Sequence, residues 1–209
     1  MTRGWVGTYF NKHTNTVLRY LTAADFVFYS ATQLLGPIFA IFIVEFIPGG
    51  NAAVAGVAAA VYLVAKSAFQ TPIGFIIDKI SGERDDYLMM VGGTFVGGLL
   101  PLFFLVITSP FQLYVVQFFL GLAYAAIFPS FMGIFTRHVN DGKEASAWSF
   151  YYTFLDIGMA LGAAVGGYFA TVFGFHAVII VSSLVSAASA SIYLPIRSHM
   201  RQAPHPRHT

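Results

Sequence analysis

An uncharged stretch of 50 residues, from Tyr87 to Thr136, decides the class of this protein: YLMMVGGTFVGGLLPLFFLVITSPFQLYVVQFFLGLAYAAIFPSFMGIFT. A bilayer core of about 30 Å takes about 20 apolar helical residues, so this run is too long for one span. It divides at Thr108-Ser109-Pro110, because proline begins helices readily and interrupts them at a cost. The stretch therefore predicts two transmembrane helices joined by a short turn.

The rest of the chain has the same apolar character. Of its 209 residues, 57% are hydrophobic and only 10% are charged, whereas soluble domains carry about 25% charged residues. The apolar residues cover all helical faces, as in lipid-embedded helices. We predict an all-α integral membrane protein, a single domain over residues 1–209 that forms a six-helix bundle in the lipid bilayer. The predicted spans are 18–46, 52–77, 87–107, 110–136, 145–172 and 177–196.

The basic residues predict the orientation. The connections at 47–51, 108–110 and 172–176 contain no Lys or Arg. Ten of the 11 basic residues fall in the other four segments, which the positive-inside rule places in the cytoplasm. We expect both termini to be cytoplasmic, no cleaved leader, and the inner or plasma membrane of a prokaryote as the location. The ten are Arg3, Lys12, Arg19, Lys79, Arg84, Arg137, Lys143, Arg197, Arg201 and Arg207.

Several motifs are missing from the sequence. It contains no cysteine, no phosphate-binding loop, no paired-histidine metal motif and no nucleophile with a positioned base. We therefore expect neither an enzyme nor an ATP-driven pump, with no cofactor, no metal and no nucleic-acid partner. The Pro- and His-rich tail from His199 is interpreted as a solvated segment rather than a metal site.

Two motifs resemble signatures of the major facilitator superfamily. Residues 74–84, GFIIDKISGER, resemble the loop between its second and third helices, although Glu83 replaces a basic residue. Residues 158–167, GMALGAAVGG, resemble its fifth-helix pattern, with Ala163 in the place of proline. The matching positions of the loop are Gly74, Asp78, Lys79, Gly82 (one place late) and Arg84. Those of the fifth helix are Gly158, Gly162, Gly166 and Gly167, whose spacing also permits close helix packing.

Two further segments fall on patterns of the same family. Gln117, Gly121 and Ala123 lie on its fourth-helix pattern, with Gln117 replacing the usual arginine, and residues 174–176 resemble its turn before helix six. The resemblance thus extends from helix two to helix six. It implies the first half of a twelve-helix transporter, whose two halves are parallel repeats. We expect two copies to form a symmetric homodimer around a shared cavity.

The resemblance also implies a function. It predicts secondary active transport of a small solute, sugar-like or drug-like, by alternating access and with proton coupling; symport and antiport both stay open. In the family, helices one and four line the cavity, and helices two and five lie where the halves meet. Asp78 is expected to gate it by contacting the positive end of the partner's fifth helix in the outward-facing state.

Polar residues inside the predicted spans are candidates for the cavity, because they are costly in lipid. A spacing of four residues places several of them on shared helical faces. Aromatic rings beside amides and carboxylates suit sugars and flat drug-like molecules. The expected cavity residues are Tyr29, Gln33, Gln117, Tyr124, Trp148 and Tyr152.

Three charged residues in the spans are expected to couple transport to protons. Asp25 is the nearest equivalent of the helix-one acids that carry protons in several relatives. Lys66 lies about 11 residues, or ~16 Å, from its helix end, which is deep for snorkelling, so we expect it to pair with a carboxylate. Asp156 of the other protomer and Asp25 of its own both stay open as that partner. Glu45 is expected only to reach the outer interface.

Two other functions stay open from the sequence. The chain could be one half of a heterodimeric transporter, which a neighbouring gene for a similar six-helix chain would favour. It could also be a non-transporting assembly or regulatory subunit, which would leave its four intramembrane charges without a purpose.

Overall fold

The computed structural model describes residues 16–200, and all regular structure in that range is helical. The helices are α1 (Thr16–Thr32), α2 (Phe39–Phe46), α3 (Ala52–Lys79), α4 (Arg84–Leu99), α5 (Pro110–His138) and α6 (Glu144–Ser189). Short 3-10 helices precede α2 (Gly36–Ile38), follow α4 (Leu100–Leu105) and follow α6 (Ala190–His199). Between residues 16 and 200, five segments are long and apolar enough to cross a membrane, namely Thr16–Phe46, Ala52–Lys79, Arg84–Leu105, Pro110–His138 and Glu144–His199.

The last of these segments folds back on itself at Gly174. That residue has a φ of 81° and a ψ of 164°, which is not helical and which glycine adopts without a steric penalty. Before the turn, Gly162 packs directly on the backbone of α1. After the turn, the Ser182 hydroxyl donates a 2.8 Å hydrogen bond to a backbone carbonyl of α1. Helix α6 therefore consists of two antiparallel arms, which we call the first arm (residues 144–173) and the second arm (residues 175–189).

Side-chain caps begin two of the helices. Asn51 accepts a 3.0 Å hydrogen bond from the backbone N–H of Val54 at the start of α3, and Ser109 accepts one from Gln112 at the start of α5. Pro110 is the first residue of α5, where its missing N–H removes no helical hydrogen bond. Caps of this kind are each worth about 1 kcal/mol. The Ser109 cap and Pro110 together start α5, so the break in the uncharged stretch lies between Leu105 and Pro110.

The helix ends define two ends of the bundle. The connection from α3 to α4, the connection from α5 to α6 and the final 3-10 helix meet at one end, which we call the basic end. Its basic residues within the described range are Arg19, Lys79, Arg84, Arg137, Lys143 and Arg197. The other connections, at 47–51, 106–109 and 174, lie at the opposite end and contain no Lys or Arg.

Glycines allow the helices to approach closely. A Cβ atom at Gly162 would overlap the carbonyl oxygen of Ser30, and one at Gly166 would overlap the backbone of Leu34. The spacing that the sequence analysis noted in the fifth predicted span is therefore a contact between the first arm and α1 of the same chain. A Cβ at Gly167 would meet nothing within 4 Å.

Two segments, α3 and the first arm, each leave a broad side uncovered by the rest of the described chain. Only Ala58, Ala65 and Ile77 are buried among the 28 residues of α3. Large apolar side chains are exposed along both α3 and the first arm. We call the exposed sides of these two segments together the open face. Its large side chains include Leu63, Val64, Phe75, Leu161, Val165 and Tyr168.

The glycine contact predicts opposite effects for two adjacent substitutions. Gly166→Ala should lower the free energy of unfolding by about 1–3 kcal/mol, because its methyl group would push against the backbone of Leu34, two residues after the end of α1. Gly167→Ala should be neutral or stabilising by up to ~1 kcal/mol, since alanine favours a helix over glycine and the site is open. Thermal unfolding of the purified protein in detergent measures both. Equal shifts for the two variants would contradict the packing of the first arm on α1.

Candidate functional site

A buried carboxylate joins three distant segments of the chain. Asp25, on α1, is 3% exposed. The Tyr151 hydroxyl, on the first arm, donates a 2.5 Å hydrogen bond to Asp25 Oδ2. The Tyr193 hydroxyl, on the final 3-10 helix, donates to Asp25 Oδ1. Each oxygen of the carboxylate therefore has its own donor, from a segment more than 120 residues away along the chain.

The surroundings of Asp25 suit a group that changes its protonation state. A carboxylate removed from water is stable only where donors replace the lost solvent, and charge-assisted hydrogen bonds are the strong ones. A tyrosine oxygen both donates and accepts, so it can also take a hydrogen bond from a protonated carboxyl group. Tyr151 and Tyr193 can therefore remain in contact with Asp25 in either state.

A cavity of about 170 Å³ opens beside Asp25, and we call it the carboxylate cavity. Its walls come from α1, α5 and the first arm, and they are mostly aromatic and sulfur-containing. Of the predicted site residues, Asp25, Tyr29 and Tyr152 line it. The other aromatic and sulfur-containing residues of the lining are Phe128, Phe131, Met132, Tyr151 and Met159.

A second cavity of about 200 Å³ lies further towards the opposite end, and we call it the amide cavity. Of the predicted cavity residues, Gln117, which is buried, and Tyr124 line it. The Phe28 ring lies between the two cavities, with its centroid 5.3 Å from that of Tyr29 and 5.6 Å from that of Tyr124. The remaining polar lining comprises Thr32, Tyr62, Ser182 and Ser186.

The other two predicted cavity residues, Gln33 and Trp148, pack behind the walls of the carboxylate cavity. Gln33 lies between α1 and the first arm, with its Nε2 atom 3.9 Å from the sulfur of Met159. The Trp148 ring packs against Tyr151 and Tyr152, at centroid distances of 5.6 and 5.9 Å. Both thus contact lining residues of the carboxylate cavity.

Lys66 lies near the carboxylate cavity and forms no ion pair within the described residues. Its Nζ atom is 5.2 Å from the centroid of the Phe128 ring, which itself lines that cavity. The oxygens of Asp25 are hydrogen-bonded to tyrosines, so the alternative pair of Lys66 with Asp25 is not formed in this structure. Asp156 is exposed on the open face, on the side of the first arm opposite the buried Gly158. Its pairing with Lys66 across a dimer stays a prediction.

The residues of the predicted gating loop lie at the basic end. Asp78 and Lys79 are exposed in the last turn of α3, and Arg84 is exposed at the start of α4. Gly82 has a φ of 106°, a conformation that L side chains rarely adopt, so glycine is needed for this turn. Gly74, further back in α3, faces Pro129 of α5.

A charged cluster that the sequence patterns did not predict lies beside this loop. Arg137, in the last turn of α5, forms a 2.9 Å ion pair with Glu83 and a second ion pair with Asp86. His138 Nδ1 lies 3.6 Å from the same Glu83 oxygen. Both carboxylates are 1% exposed, and they hold the start of α4 against the end of α5. Acids in the first turn of one helix and bases in the last turn of another were a signal for this contact.

Comparison with known proteins identifies the family. The model of the Major Facilitator Superfamily matches residues 21–209. The chain belongs to the major facilitator superfamily. This confirms the resemblance drawn from the motifs, and with it a helical membrane protein of this family rather than an enzyme.

Curated relatives and a solved structure agree with this assignment. The multidrug resistance protein MdtG of Dickeya zeae is 29% identical over 170 residues, which cover 77% of this chain and 39% of that protein. MdtG of Serratia proteamaculans is 30% identical over 63% of this chain and 31% of that protein. The crystal structure of the POT family transporter PepTSo has a TM-score of 0.72 at 15% identity, covering 91% of this chain and 39% of that chain. The chain thus spans about two fifths of its relatives' length or less.

The contacts of Asp25 make a stability prediction. Tyr193→Phe should lower the free energy of unfolding by about 1.5–3 kcal/mol, because it removes a hydrogen bond to a buried charged group. Tyr87→Phe is the matched control, since Tyr87 is also buried but its hydroxyl has no partner among the described residues. Thermal unfolding in detergent compares the two. If Tyr87→Phe lowered the stability as much as Tyr193→Phe, the effect would come from burial of the ring and not from the contact with Asp25.

Proposed function

We propose that this chain is a six-span half of a secondary active transporter, which moves a small drug-like solute by alternating access and is coupled to protons through Asp25. The observation that carries the proposal is the buried Asp25 at the wall of an aromatic cavity, hydrogen-bonded to two segments that are distant along the chain. An intramembrane carboxylate facing a cavity is the group expected to take up and release a proton in a transporter.

The reversal at Gly174 supports six spans. At 1.5 Å per residue, a straight helix of 46 residues would be about 69 Å long, more than twice a bilayer core of about 30 Å. Two antiparallel arms that both pack on α1 fit the bilayer instead. With six spans both termini lie at the basic end, which the positive-inside rule places in the cytoplasm.

The open face supports a second half. Ligand cavities of proteins usually measure about 300–1,000 Å³, whereas the two cavities here measure about 170 and 200 Å³. We propose that a second copy covers α3 and the first arm and completes a shared cavity. Because the glycines of the first arm face inward, Asp156 points towards this partner, where it can meet the partner's Lys66. Asp78 at the basic end can reach the partner's first arm and act as the gate.

The lining supports a drug-like rather than a sugar-like solute. The carboxylate cavity is surrounded mainly by aromatic rings and methionines, which pack on flat apolar molecules. Its polar lining atoms are few, whereas a sugar needs many hydrogen-bonding partners. The relatives named as multidrug resistance proteins agree with this choice.

A different second half is the alternative. The chain covers about two fifths of its relatives, so a partner of another sequence could supply the missing part. A non-transporting subunit is less favoured, because it gives no role to two cavities and a buried carboxylate.

Transport by Asp25→Asn tests the proton coupling. In proteoliposomes with an imposed pH gradient, the wild-type chain should drive movement of a fluorescent aromatic probe such as ethidium. Asp25→Asn should abolish this gradient-driven accumulation yet retain exchange of the probe, because the side chain keeps its shape and loses its titration. Asp141→Asn, in an exposed loop, is the matched control. Normal proton-driven accumulation by Asp25→Asn would remove Asp25 from the mechanism.

Cysteine cross-linking tests the assembly, and the natural chain offers a cysteine-free background. Val64→Cys combined with Val165→Cys, on the open face, should form disulfide-linked dimers in lipid. Val96→Cys combined with Leu184→Cys is the control, since these side chains are similarly exposed on α4 and the second arm. Equal cross-linking of both pairs, or a monomer that transports in nanodiscs, would contradict the homodimer.

A further inference from the structure

A groove of about 740 Å³ lies at the basic end, outside both cavities described above. It runs between the loop before α4 and the final 3-10 helix, and we call it the headgroup groove. Its polar lining consists of Ser81, Arg84, Asp85, Tyr87, Arg197 and Ser198. The charged cluster around Arg137 is separate from this lining. Gly82 and Arg84 of the predicted gating loop belong to the lining, whereas Asp78, the proposed gate, lies outside it.

Two polar atoms in the groove lack partners among the described residues. Tyr87 is 4% exposed, and its buried hydroxyl has no hydrogen bond. Asp85 Oδ2 is also buried without a partner. An unpaired buried polar atom costs about 1–3 kcal/mol, so a ligand that contacts it is favoured. Both residues line the groove, so a molecule there that reaches these atoms would find a donor at Tyr87 and an acceptor at Asp85.

The charged residues of the groove indicate which chemical groups a bound molecule would have. Arg84 and Arg197 come from separate helices, and both are exposed in the lining. The forked guanidinium group suits a phosphate, which it can bind with two parallel hydrogen bonds. Asp85 would repel an isolated phosphate, but it can accept a hydrogen bond from a hydroxyl or ammonium group attached to one. The lining thus fits a phosphate that has a hydrogen-bond donor a few atoms away, which is the chemistry of a phospholipid headgroup.

The edge of the groove is apolar on the side of the bilayer. Ile80 and Leu88 have exposed side chains there, and Leu88 lies one turn inside the apolar segment that begins at Arg84. Acyl chains can run along α4 from this edge while the headgroup stays at the basic end. We propose that the headgroup groove binds one phospholipid of the adjacent leaflet, with its phosphate between Arg84 and Arg197 and in contact with the Tyr87 hydroxyl.

Retention of lipid by the purified protein tests this site. The full chain is reconstituted in nanodiscs of mixed phosphatidylglycerol and phosphatidylcholine, released into detergent, and examined by native mass spectrometry. The wild type should retain one phosphatidylglycerol, whose glycerol hydroxyls can donate to Asp85, in preference to phosphatidylcholine, which has no donor. Arg84→Gln combined with Arg197→Gln should reduce this retention about tenfold or more, because hydrogen bonds to a charged group are lost.

Matched variants distinguish lipid binding in the groove from a general effect of positive charge at the basic end. Arg19→Gln combined with Lys143→Gln removes the same charge from the same end outside the groove, and it should leave retention unchanged. Tyr87→Phe should weaken retention without lowering thermal stability in lipid-free detergent, because the hydroxyl it removes has no partner among the described residues. Equal loss in both double variants would overturn the site, as would no preference for phosphatidylglycerol in the wild type. Displacement of the lipid by millimolar inorganic phosphate would assign the groove to free phosphate and overturn the lipid.

Discussion

The two hydrogen bonds received by Asp25 are the interaction on which the rest of the bundle depends. They join α1 to the first arm through Tyr151 and to the final 3-10 helix through Tyr193. In lipid, a charge without donors would be costly, so an ionised Asp25 favours the contacts that hold these segments together. Any change in the charge of Asp25 changes the balance of these contacts. A change in the protonation of Asp25 would therefore act on α1, the first arm and the final 3-10 helix together.

A second constraint is the direction of the glycines in the first arm. Because Gly158, Gly162 and Gly166 are used against α1, the first arm turns its larger side chains outward together with α3. Packing inside the chain thus determines which surface is left for a partner. The small volume of the two cavities agrees with a site that is open on that side. Asp156 lies on the same outward surface, which separates its role from that of Asp25.

The basic end has a different physical character from the interior. There Arg137 holds Glu83 and Asp86 in a buried cluster, so the loop before α4 is tied to α5 within one chain. The loop signature of the family has a basic residue where this chain has Glu83. In this chain Glu83 pairs with a basic residue of α5, Arg137. Beside the cluster, Arg84 and Arg197 remain exposed at the membrane boundary. The paired Arg137 stabilises the packing of α4 on α5, whereas the exposed Arg84 and Arg197 are suited to a phosphate ligand.

The sequence by itself determined the membrane class, the family and the residue types of the cavity. Long uncharged runs and the placement of Lys and Arg are local properties, and the loop and fifth-helix motifs are read without a fold. Asp25, Tyr29 and Gln117 were identifiable because a polar residue in a span stands out. Tyr193 was not, since a tyrosine near a helix end is ordinary and its partner is 168 residues away. Only the tertiary structure decided which face of the first arm is buried. The spacing of the glycines shows that they share one face of the helix, but it does not show which other helix packs against that face.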